Sequence, residues 1–185
     1  MTLASYISCL RIVLIVPIIY FLEQGFWSET PSFYFYLAFI LFVVAGLTDY
    51  LDGYIARKTD TETQLGALLD LIADKLLVSL VIVWILSFEI NSLVTIPALI
   101  IVARELVIST LRQYVIEKRE KKDLSVSFIG KSKTTIQIIA ISMLILAQEI
   151  TSIHTLALIA IWFAAFFSLY SLFTYVSEWF KHFSN

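Results

Sequence analysis

Four aspartates have a spacing that could support chemistry in an otherwise apolar chain. Asp49 and Asp52 are three positions apart, and Asp70 and Asp74 are four positions apart. In helices, either spacing places the two side chains on one face. Carboxylates that cluster in a low-dielectric site cannot all stay ionised without compensation, and all-oxygen ligand sets suit Mg²⁺ or Mn²⁺. The pattern therefore predicts two divalent cations, an arrangement used in phosphoryl-type displacement.

Small and basic residues accompany the acids. Gly53 and Gly66 would let a ligand approach a helix backbone, or would serve close helix packing. Ala56 is compatible with either role. Arg57 could pair with a diphosphate, or could anchor the chain at a membrane surface. A structural alternative for the acids is ion pairing with Arg57, Lys58 or Lys75, but four acids exceed these three cations.

The elements that must position these residues are transmembrane helices. Apolar residues make up 59% of the 185 residues, charged residues make up 15%, and the mean hydropathy is +0.88. Six segments approach the length of about 20 residues that a membrane crossing requires. The sequence predicts an all-α, polytopic membrane protein that forms a single domain over residues 1–185. Its six predicted spans cover residues 5–22, 33–56, 66–88, 93–115, 131–149 and 153–177.

The basic residues predict the orientation of these spans. All 13 Lys and Arg residues fall at the termini, in the 2–3 and 4–5 connections, or in the nearest span halves. The opposite loops carry only acids. Because basic residues favour the cytoplasmic side, both termini are expected there. Spans two and three are expected to be antiparallel neighbours, which would bring the four aspartates together near the cytoplasmic boundary.

A second group of residues could bind a phosphate on an acceptor substrate. It lies toward the cytoplasmic ends of spans four and five and comprises Arg104, Arg112, Lys131 and Lys133. Arg104 is deep in its span, where Glu105 or a helix carbonyl could be its partner. For Lys131 and Lys133, a role as membrane-surface anchors stays open. The net charge of −2 gives no indication of a nucleic-acid partner, and the single cysteine excludes an internal disulfide.

The complete spacing D-x2-D-G-x2-A-R-x8-G-x3-D-x3-D, from Asp49 to Asp74, resembles the CDP-alcohol phosphotransferase family. This resemblance implies six transmembrane helices, a homodimer and a cytoplasm-facing site that transfers a phosphatidyl group from CDP-diacylglycerol to an alcohol. The stretches "VARELVISTLRQY" and "SVSFIGKSKTTIQ" are similar to bacterial phosphatidylglycerophosphate synthases. They imply glycerol 3-phosphate as acceptor and the bacterial inner membrane as location. Of the family's N-terminal pattern, Arg11 is retained, whereas the Asn and Pro are absent.

The resemblance also implies roles for individual residues. Asp74 is expected to act as general base on the acceptor hydroxyl. The expected metal ligands are Asp49, Asp52, Asp70 and Asp74. The expected lining of the CDP site is Gly53, Ala56, Arg57 and Gly66.

Other interpretations of the sequence stay open at this point. Within the family, the acceptor could be inositol phosphate, serine, or phosphatidylglycerol as in a cardiolipin synthase. Membrane prenyltransferases also use aspartate-rich helices, but their acidic motifs usually lie on widely separated spans. A divalent-cation transporter would need ionisable groups with access to both sides, whereas the outer halves of these spans are almost entirely apolar.

Overall fold

Six helices account for nearly all of the chain that the computed structural model describes, which comprises residues 3–59, 64–88, 91–117 and 128–183. No strand occurs within these ranges, which confirms the prediction of an all-α protein. A 3-10 turn, Thr151–Ile153, precedes the last helix. The helices are α1 Leu3–Trp27, α2 Pro31–Thr59, α3 Gln64–Phe88, α4 Ser92–Glu117, α5 Phe128–Ala147 and α6 His154–Phe183.

Each predicted span corresponds to one helix, although the boundaries differ. The helices α2 and α6 continue beyond the predicted apolar segments, because a helix can extend past the membrane into water. In contrast, α5 ends at Ala147, before the predicted end of the fifth span at residue 149. There the amide N–H groups of Gln148 and Glu149 donate to carbonyls of the last helical turn.

Five helices are long and apolar enough to cross a membrane, so the protein is an integral membrane protein. Their apolar parts are Tyr6–Trp27, Pro31–Thr48, Leu68–Phe88, Ser92–Leu111 and Thr151–Ser177. In α5, the corresponding part within the described side chains is Lys133–Ala147. This stretch is shorter than the about 20 residues that a crossing normally needs. The sixth crossing and the cytoplasmic position of the termini therefore stay predictions.

The surface of the bundle is apolar on its outer side as well as in its core. Along α1, Ile18 and Leu22 are fully buried, whereas Val16 and Tyr20 are exposed. A helix of a water-soluble protein would present polar residues on that outer face. The interior in turn contains charged side chains, including Arg11, Arg104 and Lys133. This distribution is typical of helices that are surrounded by lipid.

The helix that brings α2 and α3 together is α1. Among the residues that the structure describes, it packs extensively against both, and α2 and α3 also touch each other over a short stretch. This contact agrees with the expectation that α2 and α3 are neighbours. The other half of the bundle is formed by α6 against α5 and α4, and α2 joins the two halves through α5. A Cβ atom on Gly46 of α2 would lie 2.9 Å from Cδ1 of Ile138 on α5, so the two helices approach closely there.

The close packing of α6 can be tested at Ala164, which is fully buried. Substitution of Ala164 by Leu inserts three heavy atoms into a filled interior and should lower the free energy of unfolding by about 1–3 kcal/mol. Unfolding of the purified protein by SDS in mixed micelles would measure this loss. The matched variant Ala103→Leu adds the same atoms at an exposed position of α4 and should cost less than about 0.5 kcal/mol. Equal losses in the two variants would contradict the packing described here.

Candidate functional site

The aspartate motif spans the end of α2 and the beginning of α3. Asp49 and Asp52 lie on the last turns of α2, followed by Gly53, Ala56 and Arg57 before the helix ends at Thr59. The side chains of these α2 residues are outside the part of the chain that the structure describes. Their backbone is helical, so Asp49 and Asp52 share one face of α2, as the spacing predicts.

On α3, Gly66, Asp70 and Asp74 follow one another at intervals of four residues and share one face. Asp70 and Asp74 are both partly exposed. Carboxylates one helical turn apart that remain accessible fit the oxygen-ligand chemistry of a hard divalent cation. Among the side chains that the structure describes, no group of three or more His, Cys, Asp and Glu residues is suited to hold a metal ion. The side chains of Asp49 and Asp52 lie outside that part of the chain.

Asp70 is paired with an arginine from the first helix. Nη1 of Arg11 donates to Oδ1 of Asp70 at 3.3 Å. The Arg11 side chain is fully buried, whereas the Asp70 side chain is 43% exposed. A guanidinium from within the bundle thus offsets part of the negative charge of an accessible carboxylate. The sequence identified Arg11 as a retained family residue, but its contact with Asp70 follows from the packing of α1 against α3.

A second polar centre joins α4, α5 and α6 around the carboxylate of Glu105. Its Oε1 atom accepts hydrogen bonds from Nζ of Lys133 and, at 3.4 Å, from Nε2 of Gln137. Nη1 of Arg104 lies 3.4 Å from the same oxygen. Nη2 of Arg104 donates to Oγ of Ser171 at 2.8 Å. We call these five residues the Glu105 cluster; all of them are buried.

The third helix connects the two polar centres. Lys75 donates a hydrogen bond to Oγ of Ser109, and this hydroxyl donates to the main-chain oxygen of Glu105 at 2.5 Å. Asp74, the preceding residue of α3, attracts Lys133 electrostatically. The third helix thereby contacts Arg11 through Asp70 and the helical turn of Glu105 through Lys75.

The structure brings together two of the four residues that were predicted to bind an acceptor phosphate. Arg104 and Lys133 meet at the carboxylate of Glu105, which confirms Glu105 as a partner of Arg104. Arg112 lies two turns beyond Arg104 on α4, and Lys131 lies on the first turns of α5. The side chains of Arg112 and Lys131 are outside the described part of the chain.

The sequence did not single out Ser171 or Ser109 as contributors to the site. The sequence gives a weak indication of a role for Ser171, because Ser168 and Ser171 lie one turn apart in a largely apolar part of α6. Both are buried, and the hydroxyl of Ser168 has no hydrogen-bond partner within the described ranges. A serine in a transmembrane helix often bonds to its own backbone, so its sequence position alone does not indicate a contact with another helix.

Comparison with known proteins shows the family of this chain. The family model described as CDP-alcohol phosphatidyltransferase matches residues 1–170. A Haemophilus influenzae protein named CDP-diacylglycerol–glycerol-3-phosphate 3-phosphatidyltransferase is 34% identical over 171 residues, which cover 92% of this chain and 89% of the relative. An Escherichia coli protein of the same name is 38% identical over 143 residues, which cover 77% of this chain and 78% of the relative. The chain therefore belongs to the CDP-alcohol phosphatidyltransferase family.

Proposed function

We propose that this protein transfers the phosphatidyl group of CDP-diacylglycerol to glycerol 3-phosphate and releases CMP. The product would be phosphatidylglycerophosphate, an intermediate of phospholipid biosynthesis. The observation that carries the choice of a phosphate-bearing acceptor is the pair of buried cations, Arg104 and Lys133, which meet at the carboxylate of Glu105. An acceptor that bears a phosphate needs such cations, whereas an uncharged alcohol does not. The two bacterial relatives, whose names state this reaction, support the same choice.

The acidic motif is proposed to hold the activated lipid by its diphosphate. Two divalent cations, Mg²⁺ or Mn²⁺, would be bound by Asp49, Asp52, Asp70 and Asp74 and would neutralise charge on the diphosphate and on the departing CMP. The accessible carboxylates of Asp70 and Asp74 support this assignment. Residues that are small or basic would line the CDP site, namely Gly53, Ala56, Arg57 and Gly66.

Asp74 is proposed to be the general base. Its carboxylate would take the proton from the sn-1 hydroxyl of glycerol 3-phosphate as that oxygen attacks the β-phosphorus, and the bond to CMP would break. The electrostatic attraction between Asp74 and Lys133 supports this role, because the same cation could hold the acceptor phosphate. Arg104 and Lys133, with Arg112 and Lys131, are the proposed phosphate ligands.

The site is proposed to face the cytoplasm of a bacterial cell, in the inner membrane, and the protein is proposed to form a homodimer as its family resemblance implies. The distribution of the 13 basic residues supports the orientation. Both substrates then meet at the membrane boundary, where the acyl chains of the donor remain in lipid and its diphosphate reaches the aspartates.

The choice of acceptor can be tested with purified protein. Supplied with CDP-diacylglycerol and one alcohol at a time, the protein should release CMP with glycerol 3-phosphate. Inositol phosphate, serine and phosphatidylglycerol should each give little CMP under the same conditions. Removal of divalent cations with EDTA should stop the reaction, and added Mg²⁺ or Mn²⁺ should restore it. CMP release with a different acceptor alone would refute the proposed substrate while leaving the family reaction intact.

The role of Asp74 leads to a second test. The variant Asp74→Asn keeps the shape of the side chain but removes the base, so kcat should fall by about 10²–10⁴-fold. Its free energy of unfolding in mixed micelles should stay close to that of the wild type. Asp123→Asn, the same substitution in the charged stretch between α4 and α5, should retain normal turnover. Normal turnover of Asp74→Asn would exclude this residue as the base.

The number of crossings can be tested with fusions at the C-terminus. Six crossings place both termini on one side, whereas five crossings would place them on opposite sides. A C-terminal green fluorescent protein should therefore fluoresce, and a C-terminal alkaline phosphatase should be inactive. Truncation and fusion after Asn91, which follows α3, should give the opposite pattern in each reporter. Active phosphatase both after Asn91 and at the C-terminus would show that only two of the three helices α4, α5 and α6 cross, as expected if α5 does not.

A further inference from the structure

We propose that Glu105 is a positioning residue that holds Arg104 and Lys133 in place for the phosphate of the acceptor. This inference rests on the proposed function, because it assigns a role within the same acceptor site. Glu105 would set the affinity for glycerol 3-phosphate without affecting the binding of the lipid donor.

The first support is the geometry of the Glu105 cluster. A single carboxylate oxygen of Glu105, Oε1, accepts a hydrogen bond from Nζ of Lys133. Nη1 of Arg104 and Nε2 of Gln137 each lie 3.4 Å from the same oxygen. Lys133 and Gln137 are one turn apart on α5, whereas Arg104 and Glu105 are adjacent on α4. The carboxylate thus fixes the register between two helices at the point where both contribute a cation.

The second support is the charge of the cluster. Two cations, Arg104 and Lys133, share one anion, Glu105, so the three side chains carry one net positive charge. A buried cation that lacks an anion is costly inside a membrane-spanning bundle, and its side chain tends to turn toward water. Glu105 can keep both cations inside the bundle before substrate binds. The positive charge that these three side chains carry together favours a phosphate as ligand.

The third support is the connection to the proposed base. Oγ of Ser109 bridges Lys75 of α3 and the main-chain oxygen of Glu105. Oγ of Ser171 holds the other terminal nitrogen of Arg104 from α6. The helical turn that contains Glu105 is thereby fixed relative to α3, which carries Asp74. A displacement of this turn would separate the phosphate-binding cations from the base that must reach the sn-1 hydroxyl.

The test separates positioning from a general role in stability. In Glu105→Gln, the KM for glycerol 3-phosphate should rise by about tenfold or more, because the two cations lose the charge that orients them. The KM for CDP-diacylglycerol should change by less than about twofold. Glu105→Asp retains the charge and should recover part of the affinity. The matched control is Glu149→Gln, since the Glu149 carboxylate accepts a hydrogen bond from Ser32 at 2.5 Å, far from the cluster; both of its KM values should match those of the wild type.

A double variant keeps the test decisive if Glu105→Gln folds poorly. Glu105→Gln combined with Lys133→Met removes both partners of the closest ion pair, and such paired replacements usually preserve folding. This double variant should unfold like the wild type in mixed micelles, and its KM for glycerol 3-phosphate should exceed that of Lys133→Met alone, because Arg104 also loses the carboxylate that orients it. A KM equal to that of Lys133→Met, or equal increases in the KM for both substrates in Glu105→Gln, would overturn the inference.

The test of Glu105 can be separated from the test of the acceptor. A wild-type protein that releases no CMP with glycerol 3-phosphate would refute the proposed function on its own. The same KM comparison would then be made with the phosphorylated alcohol that does release CMP. A raised KM for that alcohol in Glu105→Gln would support the positioning role, and an unchanged KM would overturn it.

Discussion

The need to neutralise charge inside an apolar bundle is the constraint on which the rest of this structure depends. The carboxylate of Glu105 offsets the charge of Lys133 and Arg104, and the carboxylate of Asp70 offsets the charge of Arg11. These contacts join α1 to α3 and α4 to α5. Apolar packing between transmembrane helices gives little preference for one register over another, because lipid tails are as apolar as the helices themselves. The ion pairs therefore have a large part in fixing how the helices are aligned.

Stability alone does not explain why these charges are present. A buried ion pair is often replaceable by well-packed apolar residues at no cost, because desolvation offsets most of the attraction between the charges. The buried charged residues of this bundle are also linked to the aspartates of α3, since Arg11 contacts Asp70, and Lys133, which Asp74 attracts, shares the carboxylate of Glu105 with Arg104. The aromatic side chains Phe26, Trp84 and Phe88 cluster at the other end of α3 and leave it apolar. Charge is thus concentrated where the family motif lies, which is the distribution expected of a site that binds anionic substrates.

The existence of the six helices was predictable from the sequence, because apolar runs of this length have few other stable conformations in lipid. Which helices pack against each other was less predictable. Most of the length of α1 and of α3 is apolar all round, so hydropathy there gives no indication of which face contacts which partner. The position of α1 against both α2 and α3 follows from three-dimensional packing. The partnership of Arg104 with Glu105 was foreseeable because the two residues are adjacent. The contact of Glu105 with Lys133 depends on the register of α4 against α5, and that of Arg104 with Ser171 depends on α6, neither of which is encoded locally.

The depth of each charge gives an electrostatic reason for the proposed pairing of the aspartates with divalent cations. Asp70 and Asp74 are partly exposed, whereas Arg11, Arg104 and Lys133 are buried behind them. A diphosphate or a phosphate that approaches from the membrane boundary would meet the carboxylates first and would be repelled by them. The positive charge of the buried cations would act at longer range and, in the case of Arg11 and Lys133, is already opposed by a carboxylate in direct contact. Anionic substrates can approach such a face only when the charge of its aspartates is offset, and the accessible face of α3 is where an ion from solution could offset it.

The same argument gives Glu105 a different role from that of the motif aspartates, because its carboxylate is buried and already bound by cations of the protein itself.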